Sequence, residues 1–301
     1  MYIDIHAHAY LKPVRGIRGI PDFCTPDELL RMYDKLGIEK GFVLPIVSPE
    51  IYLPQSNEDV LDMCAAHPDR LVPFCNVDPR ALTNSPEAQL EILLQYYKDR
   101  GCRGLGEVMP NLQMMDPKVQ NLFRAAEKVG LPVTCDGSDQ LTNDFGLYDD
   151  PGLPQLEHTL QRFPDLIMFG HGPVFWAEIA RLETPGERSF IYNLKGGQVG
   201  RVPTGPVREE GVVPKLLRRY PNLYGDLSDF TACNAIARDP EYGPKFLTEF
   251  QDRLCFGTDM CFLDMPVELP QILDSWRDSG KISAQVHEKV TYSNAKRIFG
   301  V

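Results

Sequence analysis

A short apolar segment, a polar turn and an amphipathic helix follow one another along this chain eight times. Most steps from one apolar segment to the next are about 30 residues, the length of one strand-and-helix unit. Strands that alternate with helices form parallel sheets, and eight such units close into a barrel. The predicted strands are 2–6, 41–46, 71–77, 102–107, 131–136, 166–171, 223–227 and 253–259. We therefore predict an α/β fold, a (β/α)8 TIM barrel.

The predicted helices carry start and stop signals. Thr25, Ser85 and Asp116 each precede a proline, an arrangement typical of the residue that caps a helix N-terminus. Glycines follow three predicted helix ends, at Gly37, Gly101 and Gly130. An open, doubly wound sheet is the structural alternative. Such a sheet usually has a glycine-rich turn after its first strand, where this chain has His6-Ala7-His8.

No linker, low-complexity tract or charge block divides the sequence, so we predict one domain over residues 1–301. The even spacing is interrupted by a long loop at about 172–221, after the sixth predicted strand. This position would place the loop over the C-terminal face, where barrel active sites form. An ordinary excursion of the chain is the alternative.

Composition excludes several classes of function. The net charge of −11 would repel phosphate backbones and anionic lipids, so we expect neither a nucleic-acid partner nor a membrane partner. The first residues form no basic and apolar leader, and the eight cysteines form no Cys-x-x-Cys pair. We therefore expect a cytoplasmic protein whose cysteines are mostly small buried residues rather than disulfides or a zinc ribbon.

Polar residues are found where the predicted strands end. His6 and His8 end the first strand, and side chains two residues apart on a strand share a face, so both imidazoles can reach one metal ion. Four more candidates end later strands, namely Glu107, Asp136, His171 and Asp259. Because the strand ends of a barrel meet at one mouth, this pattern predicts a metal centre. Core histidines with satisfied hydrogen bonds are the alternative interpretation.

Substrate-binding candidates lie beyond the later strands. Lys195, Arg201 and Arg208 form a basic island in an acidic chain, which indicates a small-molecule substrate with a carboxylate. Trp176 follows the sixth strand and could form the floor of a substrate pocket, although ordinary packing explains it equally well. Asp226 and Ser228, at the mouth of the seventh strand, are candidates to line the same pocket.

The opening sequence Ile3-Asp4-Ile5-His6-Ala7-His8 resembles the amidohydrolase superfamily, in the amidohydrolase-2 branch of metal-dependent barrel enzymes. That branch includes hydrolases and the aminocarboxymuconate-semialdehyde decarboxylase group. Further motifs agree in order and spacing over essentially the whole chain, at 104–107, 170–173, 256–259 and 292–300.

The resemblance implies His6, His8, Glu107 and Asp259 as metal ligands, with Asp259 and His171 as catalytic residues. Asp136 stands where the family usually has a metal-ligating histidine. We expect it to ligate as well, and its charge would favour manganese or magnesium. The alternative is that Asp136 does not bind metal and that the metal site has lost one of its usual ligands. Zinc is the expected divalent ion, with manganese or magnesium as alternatives.

The function implied is hydrolysis of a C–O or C–N bond (lactone, ester or amide) by a metal-activated water in a small, carboxylated substrate. Non-oxidative decarboxylation of an unsaturated or aromatic acid at the same site is the second interpretation. A catalytically impaired barrel that acts as a binding protein is the third. The sequence leaves the substrate, the number of metal ions and the oligomeric state open, with a homo-oligomer as one alternative.

Overall fold

The computed structural model describes residues 1–15, 22–51, 55–142, 144–188, 190–193, 197–200 and 202–301. Its strands are β1 (Tyr2–Ala7), β2 (Ile38–Val43), β3 (Leu71–Pro73), β4 (Leu105–Val108), β5 (Val133–Ser138), β6 (Leu147–Tyr148), β7 (Met168–His171), β8 (Phe190–Asn193), β9 (Gly197–Gly200), β10 (Leu223–Asp226) and β11 (Leu254–Cys255). Each of the eight predicted strands overlaps one of these; β6, β8 and β9 are additional.

The eight predicted strands are parallel neighbours in chain order. Backbone pairing runs β1-β2-β3 in one set and β4-β5-β7-β10-β11 in the other. Parallel bridges join the two sets at both ends, between Cys75 and Leu105 and between Ala7 and Met260. Near the second bridge, the Ile5 amide donates to the Phe256 carbonyl at 3.1 Å. The strands therefore close into a (β/α)8 barrel, which confirms the predicted fold class over the open-sheet alternative.

Helices connect and cover the strands. They are α1 (Pro26–Leu36), α2 (Asn57–Ala66), α3 (Leu90–Asp99), α4 (Pro117–Val129), α5 (Pro154–Arg162), α6 (Gly172–Ala177), α7 (Val212–Arg219), α8 (Asp229–Ala237), α9 (Tyr242–Glu249), α10 (Leu269–Asp278), α11 (Ala284–Glu288) and α12 (Asn294–Phe299). Among the described residues, no helix has both the length and the apolar character that crossing a bilayer requires.

Two of the three predicted helix starts are confirmed. A reciprocal capping box at Thr25 opens α1, and the Asp116 side chain accepts from the Lys118 amide at 2.8 Å at the start of α4. The prediction for Ser85 is wrong, because α3 begins only at Leu90. The Ser85 hydroxyl does accept from the amide two residues later, as a capping residue does, but the chain forms only a turn there.

The segment 172–221 contains more regular structure than the long loop that the sequence predicts. It includes α6, a 3-10 helix at Pro185–Arg188, the antiparallel hairpin of β8 and β9, and α7. These elements are only 4–8 residues long, and the many glycines and prolines around them are typical of loops. The sequence pattern therefore predicts a loop rather than short helices and strands. In α7, Val213, Leu216 and Leu217 are buried, which anchors this part of the segment on the barrel.

The barrel interior is filled by apolar side chains from six strands. Its inner cluster includes Ile3, Phe42, Val72, Phe169, Tyr224 and Cys255, together with Phe74 directly after β3. Phe299 of α12 packs into this cluster, with ring centroids 4.7 Å from Phe42, 5.5 Å from Phe74 and 5.6 Å from Phe169. The last helix therefore completes the packed core of the barrel.

Asp4 links β1 to the segment that follows β11. The carboxylate is fully buried and accepts four hydrogen bonds, from the His6 amide, the Tyr33 hydroxyl and both the amide and the hydroxyl of Thr258. A buried carboxylate requires such partners, because its desolvation is otherwise uncompensated. The register of β1 is irregular between Asp4 and Ala7, so strict alternation does not continue from Asp4 to the histidines.

The Tyr33 hydroxyl donates to Asp4 Oδ2 at 2.8 Å, and replacing Tyr33 by phenylalanine removes this donor from the buried carboxylate. We expect the free energy of unfolding to fall by about 1–3 kcal/mol, measured by urea denaturation. Tyr96→Phe, at an exposed position of α3, is the control and should change it by less than about 0.5 kcal/mol. Equal stability of Tyr33→Phe and the unmodified protein would contradict a stabilising role for this hydrogen bond.

Candidate metal centre

His6 and His8 point one nitrogen each at the same position. The Nε2 atoms lie 3.1 Å apart. The opposite nitrogens are engaged: His6 Nδ1 lies 2.6 Å from Asp226 Oδ2, and His8 Nδ1 lies 2.8 Å from the Leu44 carbonyl. Because Nδ1 donates to these acceptors, Nε2 is the nitrogen with a lone pair free to bind a metal.

Two carboxylates adjoin the paired imidazoles. Glu107 Oε2 lies 3.4 Å from the Nε2 atoms of both His6 and His8. Asp259 Oδ1 lies 3.6 Å from His6 Nε2 and 3.3 Å from His8 Nε2. Imidazole nitrogens and carboxylate oxygens together are a donor set that suits zinc or manganese, so the residues fit the divalent cation that the sequence predicts.

Glu107 also belongs to a second group of donors, with Asp136 and His171. Its Oε1 atom lies 3.5 Å from His171 Nε2, and Asp136 is buried beside them. The Asp136 carboxylate packs against the backbone of Gly172, where a Cβ atom would collide with Asp136 Oδ1. Glycine also tolerates the left-handed conformation at this position, with φ 81°. The structure thus brings Asp136 to the cluster; its role as a ligand remains a prediction.

The Asp226 carboxylate contacts the Nδ1 atoms of both His6 and His171. Its Oδ2 atom lies 2.6 Å from His6 Nδ1 and 3.4 Å from His171 Nδ1. Oδ1 accepts from the Ser228 amide at 3.0 Å, and the Ser228 hydroxyl lies 2.9 Å from His171 Nδ1. Sequence reasoning assigned Asp226 and Ser228 only to the pocket lining. Their position at the end of the seventh strand was the available signal, but their partners lie more than 50 residues away.

The cluster is buried and its charges are strongly coupled. Burial alone would lower the pKa of His6, but the carboxylates of Asp226 and Glu107 outweigh it and hold that pKa well above its usual range. Burial and the neighbouring His6 would lower the pKa of His171, but the same two carboxylates outweigh them and raise it to about 10. Burial and the neighbouring Glu107 raise the pKa of Asp136. The carboxylates thus favour positive charge at this position, which a bound cation would supply in place of protons.

Asp259 is the most accessible of these acidic and imidazole groups. Its side chain is 20% exposed, whereas those of His6, His8, Glu107 and His171 are at most 5% exposed. Its backbone has φ 54°, a left-handed conformation that is costly for a residue with a side chain. The Asp259 amide holds this conformation by donating to the His6 carbonyl at 2.7 Å. Asp259 is therefore the group through which the cluster is most open to solvent.

The predicted substrate-binding residues are placed differently. Lys195 and Arg201 lie outside the described residues, and Arg208 is exposed on the segment before α7. Trp176 is 1% exposed; its indole donates to the Asp226 carbonyl at 2.9 Å. In this position Trp176 packs beneath the site and supports the backbone of Asp226. Substrate contacts by any of the four residues remain predictions.

Solved structures share this fold at low sequence identity. A probable 2-pyrone-4,6-dicarboxylic acid hydrolase from Acinetobacter baumannii, with citric acid bound, has a TM-score of 0.60 at 16% identity, over 100% of this chain and 99% of that chain. An uncharacterised TIM-barrel protein from Bordetella bronchiseptica has a TM-score of 0.65 at 17% identity, over 99% and 98%. A 5-carboxyvanillate decarboxylase from Novosphingobium aromaticivorans, complexed with manganese and a nitrobenzoic acid, has a TM-score of 0.56 at 16% identity, over 91% and 79%.

No curated protein matches the sequence. The family model described as amidohydrolase matches residues 3–301, which is nearly the whole chain and includes every residue of the candidate metal centre. The chain therefore belongs to the amidohydrolase family.

Proposed function

We propose that this protein is a metal-dependent hydrolase that cleaves a C–O or C–N bond in a small, carboxylated substrate. The observation that carries the proposal is the convergence of His6 and His8 Nε2 with the Glu107 and Asp259 carboxylates at one mouth of the barrel. Family membership supports an enzyme of this type. The similar fold of a probable hydrolase of a pyrone dicarboxylic acid supports a lactone as the first substrate class to test.

His6, His8, Glu107 and Asp259 would hold a divalent cation, with Asp136 as a further ligand. We propose zinc, with manganese as the alternative because the similar decarboxylase contains it. When bound, such an ion acts as a Lewis acid and makes water nucleophilic at neutral pH. The remaining steps fall to the side chains of this chain.

Asp259 is the proposed general base and then general acid. Its accessible carboxylate takes a proton from the attacking water and delivers it to the leaving oxygen or nitrogen. His171 is the proposed hydrogen-bond donor to the substrate carbonyl: the Ser228 hydroxyl and Asp226 orient Nδ1, so Nε2 faces the cluster, with Glu107 Oε1 3.5 Å away. Lys195, Arg201 and Arg208 are retained as proposed contacts of the substrate carboxylate.

Decarboxylation is the second candidate, and the similar fold of a 5-carboxyvanillate decarboxylase favours it. The two reactions would use the same cation site but differ in the bond broken. A hydrolase consumes water and releases an acid from a lactone, ester or amide, whereas a decarboxylase releases carbon dioxide. Product analysis therefore separates them.

The first prediction for this function concerns metal content. We expect about one or more equivalents of zinc or manganese in the purified protein, measured by elemental analysis. The double variant His6→Ala/His8→Ala should lose it, because both Nε2 ligands are removed. His158→Ala, at an exposed position of α5, should retain it. An unmodified protein that is empty and does not retain added metal would contradict the proposal and favour the binding-protein interpretation.

The second prediction concerns the orientation of His6. Asp226→Asn replaces the carboxylate that accepts from His6 Nδ1, so the imidazole is less firmly held and less basic. We expect the metal affinity to fall by about 10–100-fold, measured by competition with a chromophoric chelator. Asp69→Asn, in an exposed turn before β3, should leave the affinity unchanged. Equal affinities of Asp226→Asn and Asp69→Asn would show that Asp226 does not tune the site.

The third prediction concerns the reaction. The metal-loaded protein is supplied with carboxylated lactones, esters and amides, and separately with aromatic and unsaturated acids. We expect acid release from the first panel without carbon dioxide, and loss of this activity in His6→Ala/His8→Ala. Carbon dioxide release from the second panel would replace the hydrolase proposal by the decarboxylase. No turnover by a protein that holds metal would contradict both.

A further inference from the structure

The segment that carries Asp259 brings a thiol to the rim of the metal centre. Cys261 follows Asp259 by two residues and is only partly buried. Its carbonyl accepts from the Cys24 amide at 2.9 Å, and the neighbouring Met260 carbonyl accepts from the His8 amide at 2.8 Å. The backbone on both sides of Cys261 is therefore fixed against the end of β1 and the segment before α1.

This placement creates a third group of donors. One atom each of His8, Asp259 and Cys261 lies within 4.8 Å of the other two. The Cys261 Sγ atom lies 3.8 Å from Asp259 Oδ1, and that oxygen lies 3.3 Å from His8 Nε2. The sulfur therefore lies beside two of the atoms that are proposed above to hold the cation.

Other thiols provide a contrast. Cys24 is fully buried and its Sγ atom donates to the His8 carbonyl at 3.2 Å, whereas the Cys261 Sγ atom lies 3.3 Å from the Asp259 carbonyl and also faces Asp259 Oδ1. Cys233 has an exposure similar to that of Cys261. Neither belongs to a group of possible metal donors among the described residues. Cys261 differs from them in facing both an imidazole nitrogen and a carboxylate.

We propose that Cys261 is a sulfur ligand of the metal centre and gives it a preference for thiophilic cations such as zinc and cobalt. The proposal rests on the metal-dependent function proposed above. On binding, a metal–sulfur bond forms and the thiol proton is released to solvent, with no oxidation or reduction. A set of carboxylates and imidazoles alone accommodates manganese or magnesium more readily, whereas a thiolate shifts the preference toward zinc.

Cobalt(II) tests this proposal spectroscopically, without an activity assay. The metal-free full-length protein is loaded with cobalt, whose visible bands report binding, and thiolate ligation adds a near-ultraviolet charge-transfer band. We expect both features in the unmodified protein and in Cys233→Ser. In Cys261→Ser and Cys261→Ala, the visible bands should remain and the near-ultraviolet band should disappear.

Competition between zinc and manganese gives a second measurement. We expect Cys261→Ser to lose about tenfold or more of the preference for zinc, within the usual range for a change at a metal site. Visible bands without a charge-transfer band in the unmodified protein, or a band that persists in Cys261→Ser, would overturn the sulfur ligand and leave the metal centre standing. Absence of visible bands altogether would overturn the metal centre and this inference with it.

Discussion

The hydrogen bond between His6 Nδ1 and Asp226 Oδ2, at 2.6 Å, is the interaction on which the site depends. It joins residues 220 positions apart, on β1 and β10, and neither group is exposed to solvent. Because it assigns the proton to Nδ1, it presents Nε2 to the centre. Asp226 also faces His171 and caps the Ser228 amide, so one carboxylate sets the orientation of two imidazoles and of the turn that starts α8.

The cluster places several ionisable side chains in the protein interior, where charged groups are normally disfavoured. Glu107, Asp136 and Asp226 are almost completely buried, and burial raises the pKa of each taken alone. The histidines reverse this trend for Glu107 and Asp226 but not for Asp136. Asp136, whose pKa stays raised, lies close to His171 and Glu107. The arrangement is costly for folding, and the proposed cation would offset that cost when bound.

The spacing of strands and the polar residues at their ends were readable from the sequence, because the barrel places every such end at one mouth. His6, His8, Glu107, Asp136, His171 and Asp259 do meet there. The role of Asp226 was not readable, since it depends on contacts across the barrel. The Ser85 hydroxyl accepts from the amide two residues later, as the Asp116 carboxylate does at the start of α4, so the local signal was the same at both positions although α3 begins only at Leu90.

Closure of the barrel has a consequence for the order in which this chain can acquire its parts. Asp4 meets Thr258, the His6 carbonyl accepts from the Asp259 amide, and Phe299 packs against Phe42 and Phe74. Each contact joins an early strand to a late segment, and such distant pairings form late because the intervening loop must first be closed. A nascent chain that lacks its last segments therefore has neither a sealed core nor an assembled candidate metal centre. Completion of the barrel and assembly of the candidate site depend on the same late contacts.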